Sequence, residues 1–124
     1  MDDFMKLRTS QVAMDLVEEV YGLCHQLPRE ELYGLSSQLK NAAASIVANI
    51  AEGFGRYTYR DKANRYVIAR GECTEVMARL YIAVRVHLLE TANVKRALSL
   101  CVETKKLLSG LISSCRSREA DSSS

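Results

Sequence analysis

The sequence predicts an all-α protein, an antiparallel up-down four-helix bundle, and three observations carry that expectation. Apolar side chains recur at alternating steps of three and four residues through four separate stretches, the mark of a helix seam. Breakers are rare: one proline, Pro28, and six glycines in 124 residues leave little room for a many-turned β fold. The stretches are joined by short connections, so neighbouring helices must run in opposite directions.

The first helix is expected to begin at Thr9 or Ser10, either of which can cap it. Its stripe is Ala13, Leu16, Val20, Leu23 and Leu27, and Pro28 ends it because the residue before a proline disfavours helical backbone. The second helix starts within Glu30–Leu35 and runs to Ala51 or Phe54, on a stripe of Leu35, Leu39, Ala42, Ile46 and Ile50 with Ala43 and Val47 beside it. Gly53 and Gly55 then supply the left-handed backbone of a helix end. The third helix opens on Thr58 and Asp61 in the T-x-x-D relation of a capping box and is expected to reach Glu90. Its positions Val67, Gly71, Thr74, Met77, Tyr81, Val84 and Leu88 keep the 3–4 spacing, and a helix of about 30 residues would be near 45 Å long. The fourth helix, capped by Thr91 or Asn93, carries Val94, Leu98, Cys101, Lys105, Leu108, Ile112 and Cys115, with only Lys105 breaking the pattern and Leu107 and Leu111 broadening it. Residues 1–116 thus form one bundle domain, and the polar, serine-rich residues 117–124 are expected to be a frayed or disordered tail.

Composition narrows the function. Apolar residues make 48% and charged residues 26% of the chain, the balance of an ordinary globular domain. The start, Met1-Asp2-Asp3, lacks a basic region followed by an apolar core, so no signal peptide is expected. No stretch nears the roughly 18 apolar residues of a spanning helix, which points to a cytoplasmic protein without membrane contact. Cys24, Cys73, Cys101 and Cys115 form no C-x-x-C pair and sit on apolar stripes, so they read as buried, reduced thiols. A di-iron bundle site needs a Glu-x-x-His on each of two helices. The only histidines, His25 and His87, have no glutamate three residues upstream, so no metal and no other cofactor is expected. Glutamates Glu72 and Glu75 at i, i+3 are a weak signal without histidine. Nucleotide-binding and nucleophile motifs are absent as well, so the chain reads as a non-enzyme. A small enzyme using Glu52 and Glu75 is the minor alternative.

Two constellations stand out. Gln38, Ser45, Asn49 and Glu52, spaced seven, four and three apart, form a polar stripe on an otherwise apolar second helix. If buried, these groups need partners on another helix, and Arg70, Glu75 and Arg79 are the candidates. One reading is a network that fixes helix register; the other is a ligand or catalytic site. The second constellation is basic: Arg56, Arg60, Lys62, Arg65 and Arg70, interleaved with Tyr57, Tyr59 and Tyr66 and opposed only by Asp61. Guanidinium groups suit phosphate and tyrosine rings can stack on unpaired bases. The plain alternative is a solvated face with tyrosines at a subunit boundary. Lys95, Arg96, Lys105 and Lys106 on the fourth helix could extend the patch. Residues 1–55 carry eight acidic and four basic side chains, whereas residues 56–118 carry thirteen basic and five acidic. Such asymmetry suits a cationic face meeting an anionic partner or the acidic half of a neighbouring copy.

The run Pro28-Arg29-Glu30-Glu31-Leu32-Tyr33-Gly34-Leu35, then Gln38-Leu39, Ala42, Ser45-Ile46 and Ala48-Asn49-Ile50-Ala51-Glu52-Gly53, resembles a bacterial four-helix bundle family. Its members include proteins encoded in intervening sequences of 23S ribosomal RNA genes. Ala69-Arg70-Gly71 followed by Glu75 is similar to that family's third-helix motif, and the likeness spans about residues 9–116. More distantly similar are the accessory variability proteins of diversity-generating retroelements. The resemblance implies a ring-shaped homopentamer, no known catalytic activity and a role with RNA or DNA. In the retroelement relatives the ring binds a reverse transcriptase. It also assigns Gln38, Ser45, Asn49, Glu52 and Glu75 to motif positions of structural character. The chain departs from the pattern at Thr9-Ser10-Gln11, where a tryptophan is usual, and at Lys40-Asn41, where two basic residues are common; this moves the expected nucleic-acid contact to the third helix. The expected function is a homo-oligomeric bundle that binds nucleic acid through Arg56–Arg70, Lys95 and Arg96, with a protein-interaction subunit as the alternative.

Overall fold

A computed structural model describes residues 3–123. After a single 3-10 turn, Asp3–Lys6, the chain forms α1 (Arg8–Cys24), a second 3-10 turn at Arg29–Glu31, α2 (Leu35–Gly55), α3 (Tyr59–Arg85) and α4 (Thr91–Ser123). Each helix packs on its two neighbours and α1 closes the circuit against α4, with no diagonal pair in contact among the described residues. Cross-helix contacts fix the directions. Asn49 meets Glu72 and Gln38 meets Arg79. Arg70 meets Ser109 and Tyr59 meets Arg118. Arg8 meets Glu103 and Glu19 meets Arg96. In each pair of helices, early positions face late ones, the up-down arrangement.

The seams of α1 and α2 lie where the periodicity puts them. Ala13, Leu16, Val20, Leu23 and Leu27 are buried, as are Leu35, Leu39, Ala42, Ile46 and Ile50. The start of α1 differs. Its cap is the extended backbone of Leu7, with no side-chain bond, and Thr9 and Ser10 are buried inside the first turn. The preceding 3-10 turn delivers the chain into the helix, and small side chains let that entry sit against the bundle.

In α3 the expected stripe is displaced. The buried positions are Ala63, Tyr66, Ala69, Cys73, Val76, Leu80 and Ala83. Val67, Met77 and Val84 only flank the core, and Gly71, Thr74 and Tyr81 face outward. The helix carries Ile68, Ile82 and Val86 on its exposed side, so apolar periodicity alone does not choose the face. A correction of the same kind applies to α4: Thr104, fully buried with its hydroxyl donating to the Leu100 carbonyl at 2.7 Å, takes the core position, and Lys105 lies beside the stripe. The helix continues to Ser123, so residues 117–123 extend α4 where a frayed tail was expected; Ser124 lies outside the described residues.

The helix ends are built locally. Thr58 Oγ1 accepts from the Asp61 amide at 3.1 Å, the expected capping interaction. α3 ends at Arg85, short of Glu90. His87 N bonds the Val84 carbonyl and Leu88 N the Ala83 carbonyl, the Schellman pattern, with His87 at φ 63° in the position glycine usually fills. Asn93 Oδ1 accepts from the Glu90 amide at 2.9 Å ahead of α4. Gly53 is not a left-handed terminator, since no glycine among the described residues has positive φ. It lies within α2, and a Cβ there would sit 2.6 Å from the Tyr66 ring. Glycine is present because two carbons of the Tyr66 ring occupy the space a side chain would need.

All four cysteines are buried and unpaired. Burial pushes the thiols of Cys73 and Cys101 up to about 12, an effect the Lys105 charge only partly offsets. In the unfolded chain such a thiol releases its proton near pH 9. The folded state therefore holds protons that the unfolded state loses between about pH 9 and pH 12, and stability falls as pH rises through that window. The expected slope is up to about 1.4 kcal/mol per pH unit for each thiol. Urea unfolding at pH 8 and pH 11 measures it; equal midpoints would contradict the burial of the pair.

Candidate nucleic-acid interface

The polar stripe of α2 meets α3 along one seam, in two clusters. Toward the start of α2, Arg79 donates to Gln38 Oε1 at 2.8 Å and to Glu75 Oε1 at 2.6 Å. Further along, Asn49 Nδ2 donates to Glu72 Oε1 at 2.7 Å and lies 3.4 Å from Ser45 Oγ. Arg65 closes the second cluster, 3.3 Å from Asn49 Oδ1 and 2.9 Å from Glu52. Glu75 and Glu52 are about half exposed, at 47% and 53%, so the seam lies at the surface and not in the core. Glu72 is a member the sequence reading had weighed only as half of a metal pair; the structure sends it to Asn49 and sends Glu75 to Arg79. Arg70, a candidate partner of this network, turns instead to α4, where it donates to Ser109 Oγ at 3.2 Å.

The basic residues do not share one face. Arg56 and Arg65 both approach Glu52, at 3.7 and 2.9 Å. Lys62 donates to the Phe54 carbonyl at 2.6 Å and lies 3.4 Å from that of Gly53. It thereby satisfies the last acceptors of α2, while its ammonium stands 5.5 Å from the Phe54 ring centroid. Arg96 reaches across to Glu19 of α1 at 3.5 Å. Arg60 and Lys95 are exposed and make no ion pair among the described residues. The compact patch expected from Arg56 through Arg65 is therefore largely engaged in holding α2 and α3 together.

A different grouping is open. Lys105, Lys106, Ser109 and Val102 line a shallow depression of about 390 Å³ on α4, and the Ser109 hydroxyl is the one that Arg70 reaches from α3. The acidic side chains nearest in sequence are drawn elsewhere: Glu72 and Glu75 into the α2 seam, and Glu103 to Arg8 of α1. Neither Lys105 nor Lys106 makes an ion pair among the described residues. No helix among the described residues is long and apolar enough to cross a membrane.

The sequence from residue 5 to residue 110 matches the family model described as 23S rRNA-intervening sequence protein. The chain belongs to that family. The fold has a counterpart in a 1.70 Å crystal structure of a protein of unknown function from the S23 ribosomal protein family of Bacteroides thetaiotaomicron. The two share 23% identity with a TM-score of 0.78, over 85% of this chain and 95% of that one. No curated protein matches the chain. The positions that the resemblance to this family singled out, Gln38, Ser45, Asn49, Glu52 and Glu75, all lie on the α2–α3 seam, where every one touches another polar side chain of the seam. The depression on α4, lined by Val102, Lys105, Lys106 and Ser109, is separate from them.

Proposed function

We propose that this chain is a non-enzymatic, homo-oligomeric bundle that holds RNA or DNA against the outward side of α3 and α4. The observation carrying the reading is that Lys105 and Lys106 line a depression whose Ser109 hydroxyl takes Arg70 of α3, while Glu72, Glu75 and Glu103 are held by Asn49, Arg79 and Arg8. Guanidinium and ammonium groups of this kind neutralise phosphates and release counterions, so affinity falls as salt rises. Three such contacts to a single strand give a log–log slope of about −2 for each chain engaged, or about a 20-fold loss between 50 and 200 mM salt. Fluorescence anisotropy with labelled oligonucleotides measures the slope, and a flat salt profile or no binding at 50 mM would remove the reading.

Self-association is supported by exposed apolar side chains at the end of α3: Tyr81, Ile82 and Val86 are 52 to 56% exposed, and a group of that kind marks a protein contact. Native mass spectrometry is expected to give a closed ring of identical chains, five by the family resemblance. A monomer at micromolar concentration would leave the group to another protein, such as a reverse transcriptase, which is the second reading.

A further inference from the structure

We propose that the nucleic acid held by this bundle is single-stranded, with an unpaired base stacked on Tyr57. The inference rests on the nucleic-acid reading above and narrows it. Tyr57 is 100% exposed, an unusual state for a ring with that much apolar area. It stands in a three-residue linker, Arg56–Thr58, between the end of α2 and the start of α3. That linker is held from both sides. Arg56 N bonds the Gly53 carbonyl at 3.2 Å, and both Arg56 and Thr58 have extended backbone. Thr58 caps α3 through the Asp61 amide, and Lys62 reaches back to the Phe54 carbonyl. The ring is therefore presented on an ordered backbone, so a ligand binding it has little ordering entropy left to supply.

Arg56 and Arg60 flank this tip in the chain, and Asp61, whose amide bonds Thr58, is the nearest carboxylate in sequence. Arg60, the second residue of α3, is exposed and makes no ion pair among the described residues. Arg56 has only the 3.7 Å approach to Glu52, a weak tie at a half-exposed site. Arg116 is exposed on the part of α4 that lies beside the start of α3, a level fixed by the contact of Arg118 with Tyr59. An aromatic face beside guanidinium groups accepts a base by stacking while the charges take the adjoining phosphates. A duplex offers no such face away from its ends, because its bases already cover one another; a single strand does. Lys105 and Arg116 are eleven positions apart on α4, about 16 Å along the axis. Five nucleotides or fewer of single strand span that gap at about 3.4 Å or more each, so the depression and the tyrosine can engage one strand.

The test is fluorescence anisotropy at about 50 mM salt with a uridine oligonucleotide, a thymidine oligonucleotide and a closed duplex without free ends. The chain is used as purified, alongside Tyr57→Ala and Tyr57→Phe. The site is fully exposed, so both variants are expected to keep the wild-type circular dichroism spectrum and melting curve. Tyr57→Ala is expected to weaken single-strand binding by about 5- to 100-fold and to leave the duplex unaffected, with Tyr57→Phe staying within about twofold of wild type. The uridine and thymidine arms report whether RNA or DNA is preferred. Single-strand affinity that ignores Tyr57→Ala, or duplex binding as tight as single-strand binding, overturns the inference and leaves the cationic surface standing. Failure of all three oligonucleotides to bind removes the inference and the nucleic-acid reading together.

Discussion

Replacing Gly53 with alanine is expected to destabilise the bundle by about 1–3 kcal/mol, although alanine is the better helix former by about 1 kcal/mol. The position lies inside α2, where propensity alone predicts a gain. Packing decides otherwise. The new Cβ would stand 2.6 and 2.9 Å from two carbons of the Tyr66 ring and 3.2 Å from Arg65 Cβ. Tyr66 is 3% exposed, so the ring has no free volume to move into, and either α2 and α3 separate or the ring leaves its rotamer. A double-mutant cycle isolates the cause. In a Tyr66→Ala background only Arg65 Cβ, at 3.2 Å, still crowds the new methyl, and most of the cost of Gly53→Ala should disappear, offset by up to about 1 kcal/mol of helix propensity. Chemical denaturation followed by circular dichroism reads both values. Equal effects in the two backgrounds would show that the ring is not the reason for glycine.

Reversing Lys105 and Lys106 to glutamate is expected to cost about 10- to 100-fold in oligonucleotide affinity at low salt, and to flatten the salt dependence from about −2 to shallower than −1. Lys106 is exposed and Lys105 half-buried at the rim of the depression, so the fold is expected to survive, and a melting curve checks it. Arg65→Ala is the informative control. Arg65 belongs to the run that is most basic along the chain, yet in the folded molecule it is bound to Glu52 and Asn49. Its removal should leave affinity within about threefold while loosening the α2–α3 seam. A large loss with Arg65→Ala and none with the lysine reversals would move the binding face back to the start of α3.

The contrast between those variants shows what was legible along the chain. The seams of α1 and α2 could be read because their large aliphatic residues, Leu16, Val20 and Leu23 in one and Leu39, Ile46 and Ile50 in the other, recur on one face and are buried. The α3 register could not. Ile68, Ile82 and Val86 are exposed while Ala69, Ala83 and Cys73 are buried, so size and hydrophobicity disagree about which side is inward. Lys105 was legible as an exception to its stripe, but not Thr104 as the residue that replaces it; a threonine whose hydroxyl bonds within its own helix passes for a polar surface residue. The spacing of Gln38, Ser45, Asn49 and Glu52 is legible as a polar stripe, and these side chains lie on the α2–α3 seam. Their partners were only half found, since Glu72 and Arg65 join through distances that spacing does not encode. Basic residues adjacent in sequence were assumed to be adjacent in function. Along a helix, steps of about 100° scatter a continuous run around the axis, and Arg60, Lys95, Lys105 and Lys106, without an ion pair among the described residues, lie on two helices.

With Glu72 turned to α2, Glu75 held by Arg79 and Glu103 turned to α1, the carboxylates nearest in sequence leave Lys105 and Lys106 on one side of α4 without an ion pair among the described residues. A net charge of only +2 understates what an approaching polyanion meets on that side. Rotational symmetry repeats any such side once per subunit at fixed spacing, and a long strand touching several of them binds with an effective concentration that no isolated chain offers. In the proposed assembly, weak attraction in one copy would become firm retention, and a modest rise in ionic strength would release every contact at once.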